Sequence, residues 1–151
     1  MKKKPLQIAV IGGGAAGFFG AIRAAEVAAS QSIAAEVTIF EATSQFLKKV
    51  RISGGGRCNV THHCFEPREL VQNYPRGKKE LLSPLQKFQP TDTIEWFAKR
   101  GIKIVAEADG RMFPESNSSS TIIDCYQGEA ERLGVRRMSH NGVESISVSK
   151  S

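Results

Sequence analysis

Residues Val10 to Gly17 read V-I-G-G-G-A-A-G. Gly12, Gly14 and Gly17 form the pattern G-x-G-x-x-G, which follows an apolar run and precedes an alanine-rich segment with helical spacing. Glu41 ends the next apolar run. A strand, a glycine turn, a helix and a second strand that ends in an acid are the context that the dinucleotide-binding fingerprint requires. The stretch therefore predicts an α/β fold with a dinucleotide site.

Each glycine of the fingerprint has a separate physical role. Gly12 permits the tight turn after the strand, Gly14 lets the backbone approach a pyrophosphate, and Gly17 lets the helix pack closely on the sheet. The pyrophosphate is expected at the N–H groups of the first helical turn, where Ala16 lies. Glu41 is expected to accept hydrogen bonds from ribose hydroxyls, and its charge would repel a 2′-phosphate. The motif favours FAD or NAD over NADP, while a glycine loop without a ligand stays an alternative.

The chain of 151 residues carries a formal charge of +6, and this excess is concentrated in one segment. Residues 44–79 contain eight basic and two acidic side chains. Such a segment is either a solvated loop or a surface that faces phosphates. Because aromatic residues are not interleaved with the basic ones, no nucleic-acid partner is expected. The basic residues are Lys48, Lys49, Arg51, Arg57, Arg68, Arg76, Lys78 and Lys79.

The N-terminus resembles a secretory signal because three lysines precede an apolar stretch. However, five glycines lie between Gly12 and Gly20, and Arg23 and Glu26 follow. The stretch is better explained as a first strand and its phosphate turn, and no segment has the roughly 20 apolar residues of a membrane span. Three cysteines, an odd number, fit free thiols in a reducing compartment. We expect a cytoplasmic protein with no membrane partner.

The pattern of apolar residues and turn signals predicts the order of the elements. The segment 42–79 is predicted to be long and irregular, and such a stretch usually serves a function. Asp92 is predicted to cap a helix that Gly101 ends, and Asp109-Gly110 predicts a hairpin. The remaining predictions are a buried parallel strand at 6–11, a helix at 15–29, a strand at 36–41, hairpin strands at 102–105 and 111–113, a helix from 118–120 to 133, and closing strands at 135–138 and 143–148.

Two further motifs resemble one known family. Residues 48–61 read K-K-V-R-I-S-G-G-G-R-C-N-V-T and are similar to the K-x-x-I-S-G-G-G-R-C-N-x-T signature of the BaiN-like NAD(P)/FAD-dependent oxidoreductases, also called the aminoacetone oxidase family. Residues 110–116 read G-R-M-F-P-E-S and resemble that family's G-R-x-F-P-x-S stretch. His62 departs from the family, which typically has asparagine after the threonine.

The resemblance implies a flavoprotein with a Rossmann-like, glutathione-reductase-like FAD-binding fold, three-layered around a central parallel sheet. It implies hydride transfer through flavin N5, with NAD(P)H as a possible electron donor and an unidentified small-molecule substrate. Members of the family have several hundred residues, including a substrate domain and a C-terminal segment that covers the flavin. Residues 1–151 are therefore expected to be the N-terminal part of an incomplete FAD-binding domain, with weak FAD binding and little turnover alone.

The residues of the second motif suit a cofactor site. The run that starts at Ser53, with Gly54 and Gly55, can bring backbone N–H groups close to a flavin or a phosphate. Positive charge from Lys49 and Arg57 suits the pyrophosphate or the reduced flavin. The other expected contacts are ring or ribitol hydrogen bonds from Asn59 and Thr61, and an adenine contact by the backbone of Val143. A surface turn of small residues stays an alternative for residues 53–61.

Other functions remain open from the residues alone. They are an NAD-binding dehydrogenase domain, a non-catalytic nucleotide-binding module, and a thiol-disulfide oxidoreductase that uses Cys58 and Cys64. The last is disfavoured because five residues separate the cysteines, one more than in flavin disulfide reductases. The Cys58, His62, His63 and Cys64 cluster does not match the usual zinc spacing, so no metal is expected. No catalytic residue is named, and the oligomeric state stays open.

Overall fold

A computed structural model describes residues 4–148, which fall into two compact units. The first unit comprises the described residues up to Arg51 and from Ile123 onward, and the second comprises Ile52–Ile122. Elements are numbered in chain order. The strands are β1 (Leu6–Ile11), β2 (Ala35–Phe40), β3 (Thr61–His62), β4 (Ile104–Ala106), β5 (Arg111–Pro114) and β6 (Arg136–Met138). The α-helices are α1 (Ala15–Ser30), α2 (Lys48–Ile52), α3 (Pro67–Leu70), α4 (Lys78–Lys87), α5 (Pro90–Ala98) and α6 (Ser119–Arg132), and 3₁₀ turns span Ser53–Gly56 and Val71–Asn73.

The first unit is built on a parallel sheet in the order β1-β2-β6. β1 and β2 pair from Leu6 with Ala35 to Ile11 with Phe40, and α1 is the crossover between them. Small residues on α1 allow close packing, and Phe18 and Ile22 are fully buried. The predicted order of strand, helix, strand and closing strand is confirmed, as is the Rossmann-like α/β class.

Two sequence predictions for this unit are wrong. β1 was expected to be buried, but Leu6 and Ile11 are 55% and 54% exposed because β1 is the outer strand of the described sheet. Residues 143–148 were expected to be a strand, but they are irregular and exposed. Alternating apolar residues alone do not make a strand, since a strand also needs a neighbour for its backbone hydrogen bonds.

The second unit contains an antiparallel sheet in the order β3-β5-β4. β4 and β5 form the hairpin that Asp109-Gly110 predicts, with Gly110 at φ +83°. β3 adds to β5 through the pairs Thr61 with Met112 and His62 with Arg111. The segment 42–79 was predicted to be irregular. This prediction is wrong in part, because the segment contains α2, β3, α3 and two 3₁₀ turns. α4, which contains Pro84, was not predicted.

The start of α5 differs from the prediction by three residues. Gln89 is the N-cap, and Pro90 occupies the first helical turn. Asp92 accepts a hydrogen bond from the Gln89 N–H (2.8 Å), while the Gln89 side chain accepts one from the Asp92 N–H. Asp92 is therefore the N3 member of a capping box and not the cap itself. Among residues 4–148, no helix has the length and apolar character that would let it cross a membrane.

Candidate functional site: a glycine turn and an acidic strand end

The glycine turn between β1 and α1 has the backbone that the fingerprint requires. Gly12 has φ +101°, a conformation that L side chains rarely adopt. Gly14 is the N-cap of α1 with extended backbone, and a Cβ there would meet no atom within 4 Å. A Cβ on Gly17 would lie 1.9 Å from the Gly12 carbonyl oxygen. Gly17 is thus required by close packing against the turn, whereas the space beside Gly14 is open to a ligand.

Gly13, between the fingerprint glycines, is held from both sides. Its N–H donates to Glu41 Oε2 (2.9 Å), and its carbonyl accepts from the Leu47 N–H (2.8 Å). A Cβ on Gly13 would lie 2.4 Å from Cδ1 of Phe46. Sequence reasoning missed this residue because the fingerprint allows any side chain there, and the only available signal was the run of three glycines.

Glu41 follows β2 and faces the turn. Its Oε1 accepts hydrogen bonds from the backbone N–H and the hydroxyl of Thr43, both at 2.8 Å. The backbone N–H groups of Thr43 and then Gly13 hold the pKa of Glu41 below its ordinary value. The carboxylate is therefore ionised at neutral pH and suits the ribose hydroxyls predicted to bind there.

A cavity of about 280 Å³ lies between the turn and the end of β2. Leu47, in its wall, is buried and has φ +57°, a strained conformation for a branched side chain. Lys48 and Lys49 are exposed on its rim, where their charge suits an anion. A diphosphate beside Gly14 and a ribose beside Glu41 fit these residues. The lining residues are Gly12, Gly13, Gly14, Glu41, Thr43, Gln45, Leu47, Lys48 and Lys49.

The segment after β6 lies against the same strand end. The Asn141 N–H donates to the Glu41 carbonyl (2.8 Å), and a Cβ on Gly142 would lie 3.2 Å from that of Ala42. Val143, the next residue, is 42% exposed. Val143 thus directly follows two residues that lie against the Glu41 region, and its contact with adenine stays a prediction.

In the second unit, the S-G-G-G-R-C-N segment forms a left-handed turn. Gly54, Gly55 and Gly56 have φ of +56°, +69° and +88°. A Cβ on Gly54 would lie 2.7 Å from Cε1 of Phe113, whereas one on Gly55 would meet nothing within 4 Å. Gly54 is therefore a packing glycine, and Gly55 is the one with open space for a ligand. The Cys58 N–H closes the turn by donating to the Ser53 carbonyl (2.9 Å).

Arg57 joins this turn to the β4–β5 hairpin. Its guanidinium carbon lies 4.0 Å from the centre of the Phe113 ring, and its Nε donates to the Gly54 carbonyl (3.3 Å). Its Nη1 pairs with Glu107 at 2.5 Å and with the Asn117 side chain at 3.4 Å. These contacts give Arg57 a structural role within the unit, so its predicted charge interaction with a cofactor stays a prediction.

The two family motifs pack together as one structure. Asn59 Oδ1 accepts from the Met112 N–H (3.3 Å), and the Val60 N–H donates to the Met112 carbonyl (2.8 Å). The His62 ring lies against Gly110, where a Cβ would come 2.4 Å from Cε1 of His62. Gly110 must therefore lack a side chain for two reasons, its positive φ and the neighbouring ring.

Cys58 and Cys64 are both free thiols, and their surroundings differ. Cys58 is 6% exposed and is not in a disulfide. Burial raises the pKa of the Cys58 thiol, and a raised pKa lowers the fraction of reactive thiolate. Cys64 is half-buried and its Sγ lies 3.9 Å from the Glu66 carbonyl.

The predicted site residues divide between the two units. Those of the second unit lie between the start of the left-handed turn and β3. In the first unit, Gly12, Gly14, Glu41 and Lys49 line one cavity, and Ala16 is exposed in the first turn of α1. The predicted site residues of the second unit are Ser53, Gly54, Gly55, Arg57, Asn59 and Thr61, and those of the first unit are Gly12, Gly14, Ala16, Gly17, Glu41, Lys49 and Val143.

The fold and the glycine turn define a Rossmann-type dinucleotide-binding protein. Residues 6–151 match the family described as HI0933-like protein Rossmann domain. The chain belongs to this family, and the resemblance to the BaiN-like FAD-binding oxidoreductases is confirmed.

Two relatives and one solved structure are similar to most of the chain. The 3-dehydro-bile acid delta(4,6)-reductase of Clostridium scindens is 28% identical over 95% of this chain and 33% of its own length. The ribosomal RNA dihydrouridine synthase of Haemophilus influenzae is 27% identical over 91% of this chain and 32% of its own length. The crystal structure of THI4 from Thermovibrio ammonificans has a TM-score of 0.52 at 12% identity, over 89% of this chain and 38% of that one, and supports the fold alone. The chain thus spans about a third of the length of these relatives.

Proposed function

We propose that this chain is the FAD-binding portion of a flavin-dependent oxidoreductase. The observation that carries the proposal is the cavity in which open space beside Gly14 lies with the ionised carboxylate of Glu41. A diphosphate would rest on the N–H groups at the start of α1, and the ribose hydroxyls would donate to Glu41. Lys48 and Lys49 would balance the charge of the diphosphate.

Bound FAD supplies hydride transfer through its N5 atom, with NAD(P)H as the proposed electron donor. The protein's own contribution is to bind and orient. The left-handed turn at Gly54–Gly56 leaves backbone exposed at Gly55, where a planar ring can approach without obstruction. The backbone of this turn is proposed to face the ring or the ribitol, whereas the side chains of Asn59 and Thr61 line a cavity of about 370 Å³ in the same unit. Arg57 holds this turn on the hairpin through Phe113.

The names of the two relatives indicate one class of substrate. One relative is named for the reduction of delta(4,6) double bonds in a 3-dehydro bile acid, and the other for the formation of dihydrouridine. In both substrates the reduced carbon–carbon double bond is conjugated with a ring carbonyl. The second name refers to ribosomal RNA, so the two substrates share the kind of ring and not the size of the molecule, and we propose here a ring with an alkene conjugated to a carbonyl. Because this chain matches only about a third of either relative, we expect weak FAD binding and little turnover by the 151-residue chain alone.

FAD binding is tested by titrating the purified chain and following flavin fluorescence. Gly14→Val should fold normally, since a Cβ there meets no atom within 4 Å, but should weaken FAD binding at least tenfold by blocking the diphosphate. Gly20→Ala is the control. A Cβ on Gly20 would also meet no atom within 4 Å, but Gly20 lies within α1 and outside the cavity. Equal affinity of the Gly14→Val variant and the control would contradict the proposal. Parallel titration with NAD separates an NAD-binding dehydrogenase domain, which would bind NAD and not FAD.

A further inference from the structure

The second unit has its own cavity, of about 370 Å³, which lies within the volume range of small-molecule sites. Its walls differ in character. The polar residues come from β3, the segment before it and the start of α5, and the apolar ones come mostly from α3, α4 and the segments that follow these two helices, with Val60 before β3 and Pro90 at the start of α5. The polar residues are Asn59, Thr61, His62, Gln89 and Thr93, and the apolar ones are Val60, Leu70, Tyr74, Leu85, Phe88 and Pro90.

The apolar wall is incompletely covered by the protein itself. Tyr74 and Phe88 are 39% and 41% exposed. α4 carries three leucines, yet none of its residues is fully buried. Amphipathic helices normally bury their apolar face, and exposed aromatic rings beside a cavity offer a flat surface for stacking. This wall therefore suits a planar, largely apolar ring.

The polar wall offers hydrogen-bond donors. Because Asn59 Oδ1 accepts from the Met112 N–H, the amide orientation leaves the Asn59 NH₂ as the donor group. Within residues 4–148, neither this NH₂ nor the Thr61 hydroxyl has a protein partner. A carbonyl oxygen has two lone pairs and accepts from two such donors.

We propose that this cavity binds the substrate's planar ring, with its carbonyl oxygen on Asn59 and Thr61 and its face against Tyr74 and Phe88. The role of this ring as the substrate rests on the function proposed above, whereas its binding rests on the cavity alone. A pyrimidine base and a steroid enone share this chemistry. They differ in size and polarity, so the experiment treats them separately.

The experiment measures binding of uridine and of a 3-oxo-Δ4 steroid to the full chain by calorimetry. At least one of the two should bind. Thr93→Trp fills the cavity and should weaken that binding at least tenfold, whereas Thr91→Trp, on the exposed side of the same helix, should leave it unchanged. Asn59→Asp keeps the acceptor for Met112 but removes the donor, and should also weaken binding at least tenfold.

Several results would overturn the assignment. They are binding of neither compound, unchanged binding in Thr93→Trp or Asn59→Asp, and competitive displacement of the ring compound by riboflavin, which would make the cavity the flavin's own pocket. FAD titration of Thr93→Trp separates the two proposals. Retained FAD affinity with lost ring binding supports both, whereas ring binding without FAD binding in the unsubstituted chain refutes the proposed function and leaves the cavity assignment intact.

Discussion

Glu41 accepts a hydrogen bond from the backbone N–H of Gly13, with 2.9 Å between nitrogen and oxygen. The residue predicted to hold a ribose thus also holds the loop that is predicted to hold the diphosphate. A loop fixed in advance loses less conformational entropy when a ligand binds. The two halves of the fingerprint are therefore coupled before any ligand arrives.

This coupling predicts a pH dependence of stability. The pKa of Glu41 is below its ordinary value of 4.5, so its stabilising contribution is complete above that value and is lost as the pH falls through the folded-state pKa. Glu41→Gln lacks this contribution, and its free energy of unfolding should fall less between about pH 7 and about pH 3. Urea unfolding across that range measures the difference. Parallel pH profiles of the two proteins would contradict it.

Gly17→Ala should destabilise the first unit strongly. The added Cβ would lie 1.9 Å from the Gly12 carbonyl oxygen. Because this oxygen belongs to the backbone, it cannot move aside as the end of a flexible side chain could. We expect a loss of about 3 kcal/mol in the free energy of unfolding. Gly20→Ala, in the same helix with open space, should be neutral or stabilising by up to about 1 kcal/mol. Thermal unfolding followed by circular dichroism compares the two, and equal stability would refute the contact.

Gly54→Ala and Gly55→Ala form a matched pair. Both positions have positive φ, so each substitution carries a backbone penalty of about 1 kcal/mol. Gly54→Ala adds a close contact with Phe113, whereas Gly55→Ala adds none. In urea unfolding, the free energy of unfolding of Gly54→Ala should therefore be lower than that of Gly55→Ala by about 1 kcal/mol. If Gly55→Ala were the less stable variant, the packing assignment would be wrong.

Arg57 should act more through stacking than through charge. Arg57 and Glu107 are 29% and 38% exposed, so their ion pair is expected to contribute less than about 1 kcal/mol. Arg57→Lys keeps a charge but loses the flat contact with Phe113, and should lower the free energy of unfolding by about 1 kcal/mol. Glu107→Gln should have a smaller effect, and added salt should preserve this order. A larger effect of Glu107→Gln in chemical denaturation would reverse the interpretation.

The thiols should differ in reactivity. Cys58 is buried with a raised pKa, whereas Cys64 is half-buried. Iodoacetamide should therefore modify Cys64 before Cys58 in the folded protein, and both at similar rates in urea. Mass spectrometry of the digested protein identifies the order. Rapid modification of Cys58 in the folded state would favour the thiol-disulfide alternative.

The sequence by itself predicted the parts of the site that depend on local backbone requirements. Gly12 needs a positive φ, and an acid at the end of the second strand is a matter of spacing along the chain. The parallel order of β1 and β2 follows from the helical crossover between them. The Asp109-Gly110 hairpin is likewise a local signal, and it lies where predicted.

Only the tertiary structure decided what residues far apart in the chain do to one another. The need for glycine at 13 comes from Phe46, and at 54 from Phe113, and neither partner is close in sequence. The run at 143–148 has the pattern of a strand but no neighbour in the described sheet. Periodicity reports which face of a segment is apolar, whereas packing and pairing depend on which surface the folded chain brings against it.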